Sequence, residues 1–153
     1  MINRRSFIKT SSLTFVGMGL SNYSQSSLFF QEKNAPVVIS TWKFGMKANE
    51  AAWKVLENGG HSLDAVEAGA RVPEADPNNI TVGIGGTPDA GGKVTLDACI
   101  IDEKGRAGSV TYLQHIVHPV SVARMVMEKT PHVMLSGKGA LKFALDNGFE
   151  KEK

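Results

Sequence analysis

The sequence predicts an α/β (α+β) chain, and three patterns predict it. Short apolar runs rich in β-branched residues alternate with stretches of helical period, a strand–turn–strand signal sits in the middle of the chain, and Gly or Pro punctuates most boundaries. With 153 residues, 42% hydrophobic and 21% charged, the composition is that of one ordinary globular domain.

The elements can be justified in chain order. The first 30 residues carry Arg4, Arg5 and Lys9 and no acid. "NRRSFIK" leads into the mildly apolar "TSSLTFVGMGL" and then a Ser-rich stretch to Gln31, so residues 1–31 resemble a twin-arginine-type export signal with a polar linker and point to a periplasmic or secreted protein. The apolar run is too short and too rich in Gly and Ser for a stable membrane span, which needs about 20 apolar residues. The rest of the chain holds 14 basic and 15 acidic residues, so the formal +2 of the whole hides a slightly acidic body. That balance argues against nucleic acid as a partner, which requires clustered positive charge.

From residue 32 onward the folded portion begins. "PVVIS", Pro36–Ser40, is apolar and β-branched and predicts a buried strand, after which Trp42 and Phe44 at alternating positions would point the same way and could wall a pocket. Ala48, Ala51, Ala52, Val55 and Leu56 form a helical stripe over Lys47–Asn58, closed by Gly59 and Gly60. A second helix is expected after Ser62 as N-cap, with Asp64 in its first turn, Leu63, Val66 and Ala70 inward, and Pro73 ending it.

The stretch Gly83–Gly92 holds five glycines in ten residues, a density that marks positive φ angles or close backbone approach. It is not a phosphate loop. G-x-G-x-x-G fails at Pro88, and Gly137-Lys138 is followed by Gly139, with His132 where the first Walker glycine would sit. In "KVTLDACIID" Val94, Leu96, Ala98 and Ile100 alternate with Thr95, Asp97, Cys99 and Ile101, which predicts a central strand covered on both faces. "DEKGR" is a turn, and Ala107–Leu113 can return as its antiparallel partner. Pro119 suits a first helical position, with Val122, Met125 and Val126 inward until Thr130-Pro131. "HVMLS" is a further short strand, and a last helix, Lys138–Asn147, turns Ala140, Leu141, Ala144 and Leu145 inward before Gly148.

Chemistry-bearing residues are few. His115 and His118 have the spacing of a shared metal but straddle a loop with no third ligand, so structural roles are favoured and neither metal nor cofactor is expected. No G-x-S-x-G elbow supports a serine hydrolase. Cys99, the single cysteine, is expected in the core and inert. Asp97, a charge within a strand, must be solvated or paired, and a structural and a functional role both stay open.

Four blocks in order, "STWKFG", "AAWKVLENGGHSLDAVEAG", "TVGIGGTPDAGGKVTLDACIID" and "SVARMVMEKTPHVMLSGKGALKFALDNGF", resemble the N-terminal, α-subunit part of the glycosylasparaginases, in the plant-type asparaginase branch of the N-terminal-nucleophile hydrolases. The resemblance covers Pro36 to Phe149. It implies the N-terminal half of an αββα four-layer sandwich and an amidohydrolase that cleaves the asparagine side-chain amide of glycoasparagines. It also implies a β-subunit, released by self-cleavage, that carries an N-terminal Thr nucleophile, and an (αβ)2 assembly. The His-Asp-Thr block of that cleavage does not occur in these residues, so the chain alone is expected to be inactive. Matching positions make Trp42 a wall of the substrate pocket and place Thr81 where a serine hydroxyl lies near the nucleophile. Pro73, Ile84, Thr87 and Ala90 depart from the family pattern and bear on substrate choice. The resemblance also suggests that the glycine loop runs along the active-site side, and that Asp97 is a structural charge. Competing readings are a non-catalytic remnant with a binding or scaffold role, and an L-asparaginase or isoaspartyl peptidase of the same superfamily.

Overall fold

A computed structural model describes residues 35–152. The expected export segment, residues 1–31, lies outside them. The chain divides into two units between Val37 and Val38, and every helix and strand among the described residues lies in the second. Residues 35–40 have no regular structure, and Val37 and Ile39 are exposed, which overturns the strand expected at Pro36–Ser40. An apolar run becomes a buried strand only where a neighbour takes up its backbone groups, and no described strand pairs with this one.

Helix α1, Gly45–Glu57, buries Ala52 and half-buries Ala48, Ala51, Val55 and Leu56, the expected stripe. It ends where Gly59, at φ 77°, and Gly60 donate back to Leu56 and Val55. Helix α2, Ser62–Glu74, packs on α1. Its N-cap is His61 and not Ser62: the imidazole Nδ1 accepts from the Leu63 amide at 3.2 Å. Pro73 lies one residue inside the helix, which reaches Glu74, and Val66 is exposed where Ala65 and Gly69 are buried instead.

The sheet has three strands in the order β1 (Leu96–Ile101), β2 (Ala107–Leu113), β3 (Met134–Ser136). β1 and β2 form the expected antiparallel hairpin, with Ala98 opposite Val110 and Ile100 opposite Gly108. The Asp102 carboxylate builds the turn, accepting from the amides of Lys104 and Arg106 and from Arg106 Nε at 2.7 Å, while Gly105 takes φ 76°. β2 and β3 are parallel, joined through α3, Pro119–Lys129, as a βαβ unit. Helix α4, Gly137–Asp146, ends in a Schellman motif: Gly148, at φ 88°, donates to Leu145 and Phe149 to Ala144.

Helices α3 and α4 pack on the sheet, and Val110, Leu113, Val122, Val126, Ala140 and Ala144 form the centre of the core. α3 lies directly on β2 at Gly108, where any Cβ would fall on the Ala123 carbonyl and the Met127 backbone. On the opposite face Cys99, Ile101 and Met134 are exposed. Among the described residues β1 stands at the edge of the sheet and not at its centre, and exposed Cys99 is not a core thiol. The mixed α/β class holds, and helices on a single face of the sheet correspond to one α and one β layer of the implied sandwich.

Candidate functional site

The residues expected to wall a pocket come from two loops. Trp42 and Phe44 lie in the turn that opens α1, where Gly45 donates to the Trp42 carbonyl at 2.8 Å and Phe44 takes helical angles of φ −67° and ψ −19°. An extended backbone would have sent the two rings the same way; this turn removes the alternation behind that expectation. Trp42 is 69% exposed.

Thr81 follows α2. Its amide and its hydroxyl both donate to Asn79 Oδ1, at 3.0 and 2.6 Å, so the hydroxyl proton is committed and the Oγ1 lone pairs remain as acceptors. Asn79 is buried, which fixes the loop from beneath. The glycines meet the same region. Gly83, buried and at φ 72°, lies against the Glu74 backbone so closely that a Cβ would overlap it, and a Cβ on Gly85 would crowd the carbonyls of Pro77 and Asn79. Backbone of the α2 end is thus what comes close to the first part of the loop. Among the described residues, no hydrogen bond joins Thr81 to Trp42 or Phe44.

A cavity of about 360 Å3 opens beside the loop, lined by Ile84, Lys93, Val94, Leu96, His115 and Ile116 among others. None of Trp42, Phe44 and Thr81 lines it. His115, at φ 62°, closes one side and is bonded twice to Glu152: its ring Nδ1 lies 3.1 Å from the Glu152 carbonyl, and its own carbonyl accepts from the Glu152 amide at 2.9 Å. His118 engages a different partner, Glu74, so the two histidines hold separate places.

Asp97 has a structural explanation. Its carboxylate accepts from Thr111 Oγ1 and from the Tyr112 amide, both at 2.8 Å, beside the register shift between Leu96 and Ala98. Tyr112 is at φ 51°, and the carboxylate satisfies the amide that this irregularity takes out of the ladder.

The residue that sequence patterns did not single out is Glu74. It is 93% buried at the end of α2; one carboxyl oxygen accepts from the Val120 amide at 3.0 Å, and the other lies 3.4 Å from His118 Nδ1 without a hydrogen-bond partner. Burial pushes its carboxyl up to about 8; the Val120 amide and Arg71 pull down, and Glu67 pushes up. Burial, with Arg71, lowers the His118 imidazole against the upward pull of Glu67. Both partners are therefore held neutral around pH 7. The available signal was an acid in the last turn of a helix, where the macrodipole disfavours negative charge.

The fold defines a class: a mixed α/β chain whose three-stranded sheet is covered by helices on one side. The asparaginase family model matches residues 25–153, and the chain belongs to that family. It is 53% identical over 154 residues to the N(4)-(beta-N-acetylglucosaminyl)-L-asparaginase of Elizabethkingia miricola, covering 98% of this chain and 45% of the relative. Against the mouse protein of the same name it is 48% identical over 118 residues, 76% of this chain and 34% of the relative. Against the rat isoaspartyl peptidase/L-asparaginase it is 44% identical over 103 residues, 67% of this chain and 31% of the relative. The chain spans less than half the length of these curated relatives. Their likeness agrees with the glycosylasparaginase resemblance and favours it over the isoaspartyl peptidase alternative.

Proposed function

We propose that this chain is the α-part of a glycosylasparaginase-type amidohydrolase, which cleaves the asparagine side-chain amide of glycoasparagines and releases aspartate. The observation that carries the reading is the sheet with helices on one face and Cys99, Ile101 and Met134 bare on the other, in a chain 53% identical to less than half of such an enzyme. The second half supplies the second sheet and a threonine exposed at a new N-terminus by self-cleavage.

The chemistry fits the loops. A threonine hydroxyl is a weak nucleophile, but its own α-amine, titrating near about 8 in model peptides, can take its proton. The hydroxyl oxygen then adds to the side-chain carbonyl, an oxyanion hole from the second half stabilises the tetrahedral intermediate, the amine leaves with the proton held by the α-ammonium, and water hydrolyses the resulting ester to free aspartate and the threonine. Thr81, with its proton committed to Asn79, offers lone pairs that can accept from the nucleophile's ammonium. Trp42, exposed in the turn before α1, and Phe44 would wall the substrate pocket once the second half is in place.

Residues 1–31 are read as the export signal of a periplasmic or secreted protein. Among the described residues no helix is long and apolar enough to cross a membrane. The mature partners are the enzyme's own β-subunit, in an (αβ)2 assembly, and a glycoasparagine or asparagine-like substrate, with no cofactor.

Intact mass of the product of the whole reading frame, followed by an amidase assay on aspartylglucosamine, tests the reading. Two chains from one precursor, with activity, are the expected result. A single uncleaved chain without activity would instead support the non-catalytic remnant, and faster turnover of isoaspartyl dipeptides would move the substrate to the peptidase branch.

A further inference from the structure

Glu74 joins three things that are otherwise separate. Through its backbone it meets Gly83, two residues from Thr81. One carboxyl oxygen accepts from Val120 in the first turn of α3, whose own N-cap, His118, makes no side-chain cap bond. Its other oxygen faces His118 Nδ1, and these two buried atoms have no other partner. One proton between them satisfies both: a neutral carboxyl can donate from that oxygen to a neutral imidazole while the first oxygen keeps the Val120 bond.

We propose that Glu74 is a positioning residue which, as its neutral acid paired with His118, latches the Asn79–Gly85 loop to the start of α3 and so holds Thr81 in place for the reaction. The link to the reaction rests on the role given to Thr81 above; the latch itself does not.

The charged groups facing the pair are Arg71 and Glu67, both on α2, and Glu67 is itself paired with Arg124 of α3 at 2.7 Å. The loop presents only the backbone of Gly83. Ionising Glu74 would bury a negative charge beside Glu67 and leave His118 Nδ1 without a donor. The sign follows from linkage. The folded carboxyl, near 8, lies above its ordinary 4.5, so its contribution to stability is complete below about 4.5, declines as pH rises and is gone above about 8.

The test is E74Q in the protein expressed with its full reading frame. Glutamine keeps the oxygen that accepts from Val120 and supplies a fixed N–H donor to His118, so the fold survives and the titration disappears. The Thr81 amide and the His118 ring are followed by NMR between pH 5 and 9, alongside kcat and KM. In the wild type both resonances should move with a shared midpoint near 8. kcat should fall about tenfold from its maximum within one pH unit above that midpoint, with KM less affected. E74Q should leave Thr81 static and keep kcat through the alkaline range, retaining only the rise due to the α-amine.

A Thr81 resonance that titrates identically in E74Q overturns the latch. A static Thr81 in E74Q with an unchanged alkaline fall in kcat overturns the positioning role. If the protein has no amidase activity at any pH, the functional reading fails, and the NMR titration still decides the latch.

Discussion

Single residues set the local geometry here, and their protonation states have opposite consequences. Burial pushes the Asp102 carboxyl up, but the amides of Arg106 and Lys104 and the Arg106 guanidinium outweigh it and hold it below its ordinary 3.8. Its folded value is depressed, so its contribution is present above about 3.8 and is lost as pH falls through the folded value. Asp102→Asn keeps an oxygen for the two turn amides and loses the charge and the Arg106 Nε bond. The variant should melt at a lower temperature at pH 7 and converge on the wild type at strongly acidic pH; parallel curves across that range would refute the assignment. Asp102 and Gly105 were legible in advance because turn chemistry is local. Glu74 and His118 were not, since they are 44 positions apart in sequence and only the packing of α2 on α3 makes each the other's environment.

At the scale of elements, Arg124 is the arginine that ties α3 most closely to α2. Arg124 Nη1 reaches Asp64 at 2.6 Å and Glu67 at 2.7 Å, and its Nε reaches Glu128 at 2.8 Å. Burial alone would lower the guanidinium, yet the hydrogen bonds to Glu128, Asp64 and Glu67 raise it further. Glu67 also accepts from Ser121. Arg124→Ala leaves three carboxylates facing one another and should cost about 1–2 kcal/mol, above the range of an exposed pair, with the loss reduced in high salt. Leu113→Ala, at a fully buried position of β2, should cost about 2–5 kcal/mol, a large share of a domain's stability. Denaturant melts of the two variants would separate them, since only the first depends on salt. The helices were readable because stripe, Pro119 and Gly148 are signals within ten or so residues. Whether β1 is central was not: Ile100 and Ile101 are apolar neighbours on opposite faces, and only the presence of a covering layer decides which kind of strand they make.

For the whole molecule, the bare sheet face is the dominant fact. Cys99 and Ile101 on β1 and Met134 on β3 are open to water, and an exposed, partly apolar edge strand such as β1 invites pairing with other chains. Residues 35–152 expressed alone should bind ANS, show a weak near-UV signal and self-associate, whereas a sharp cooperative melt of the monomer would show that one covered face suffices. Finally, the two hydrogen bonds between Glu152 and His115 make the backbone at Glu152 a fixed origin. Any segment that follows departs from the rim of the cavity beside β1 and β2, not from a free tail. Its reach is measured from that rim at no more than about 3.5 Å per residue. A leash pinned so close confines whatever it carries to a small volume around that rim, and its length sets how much entropy is spent bringing that cargo back to the cavity.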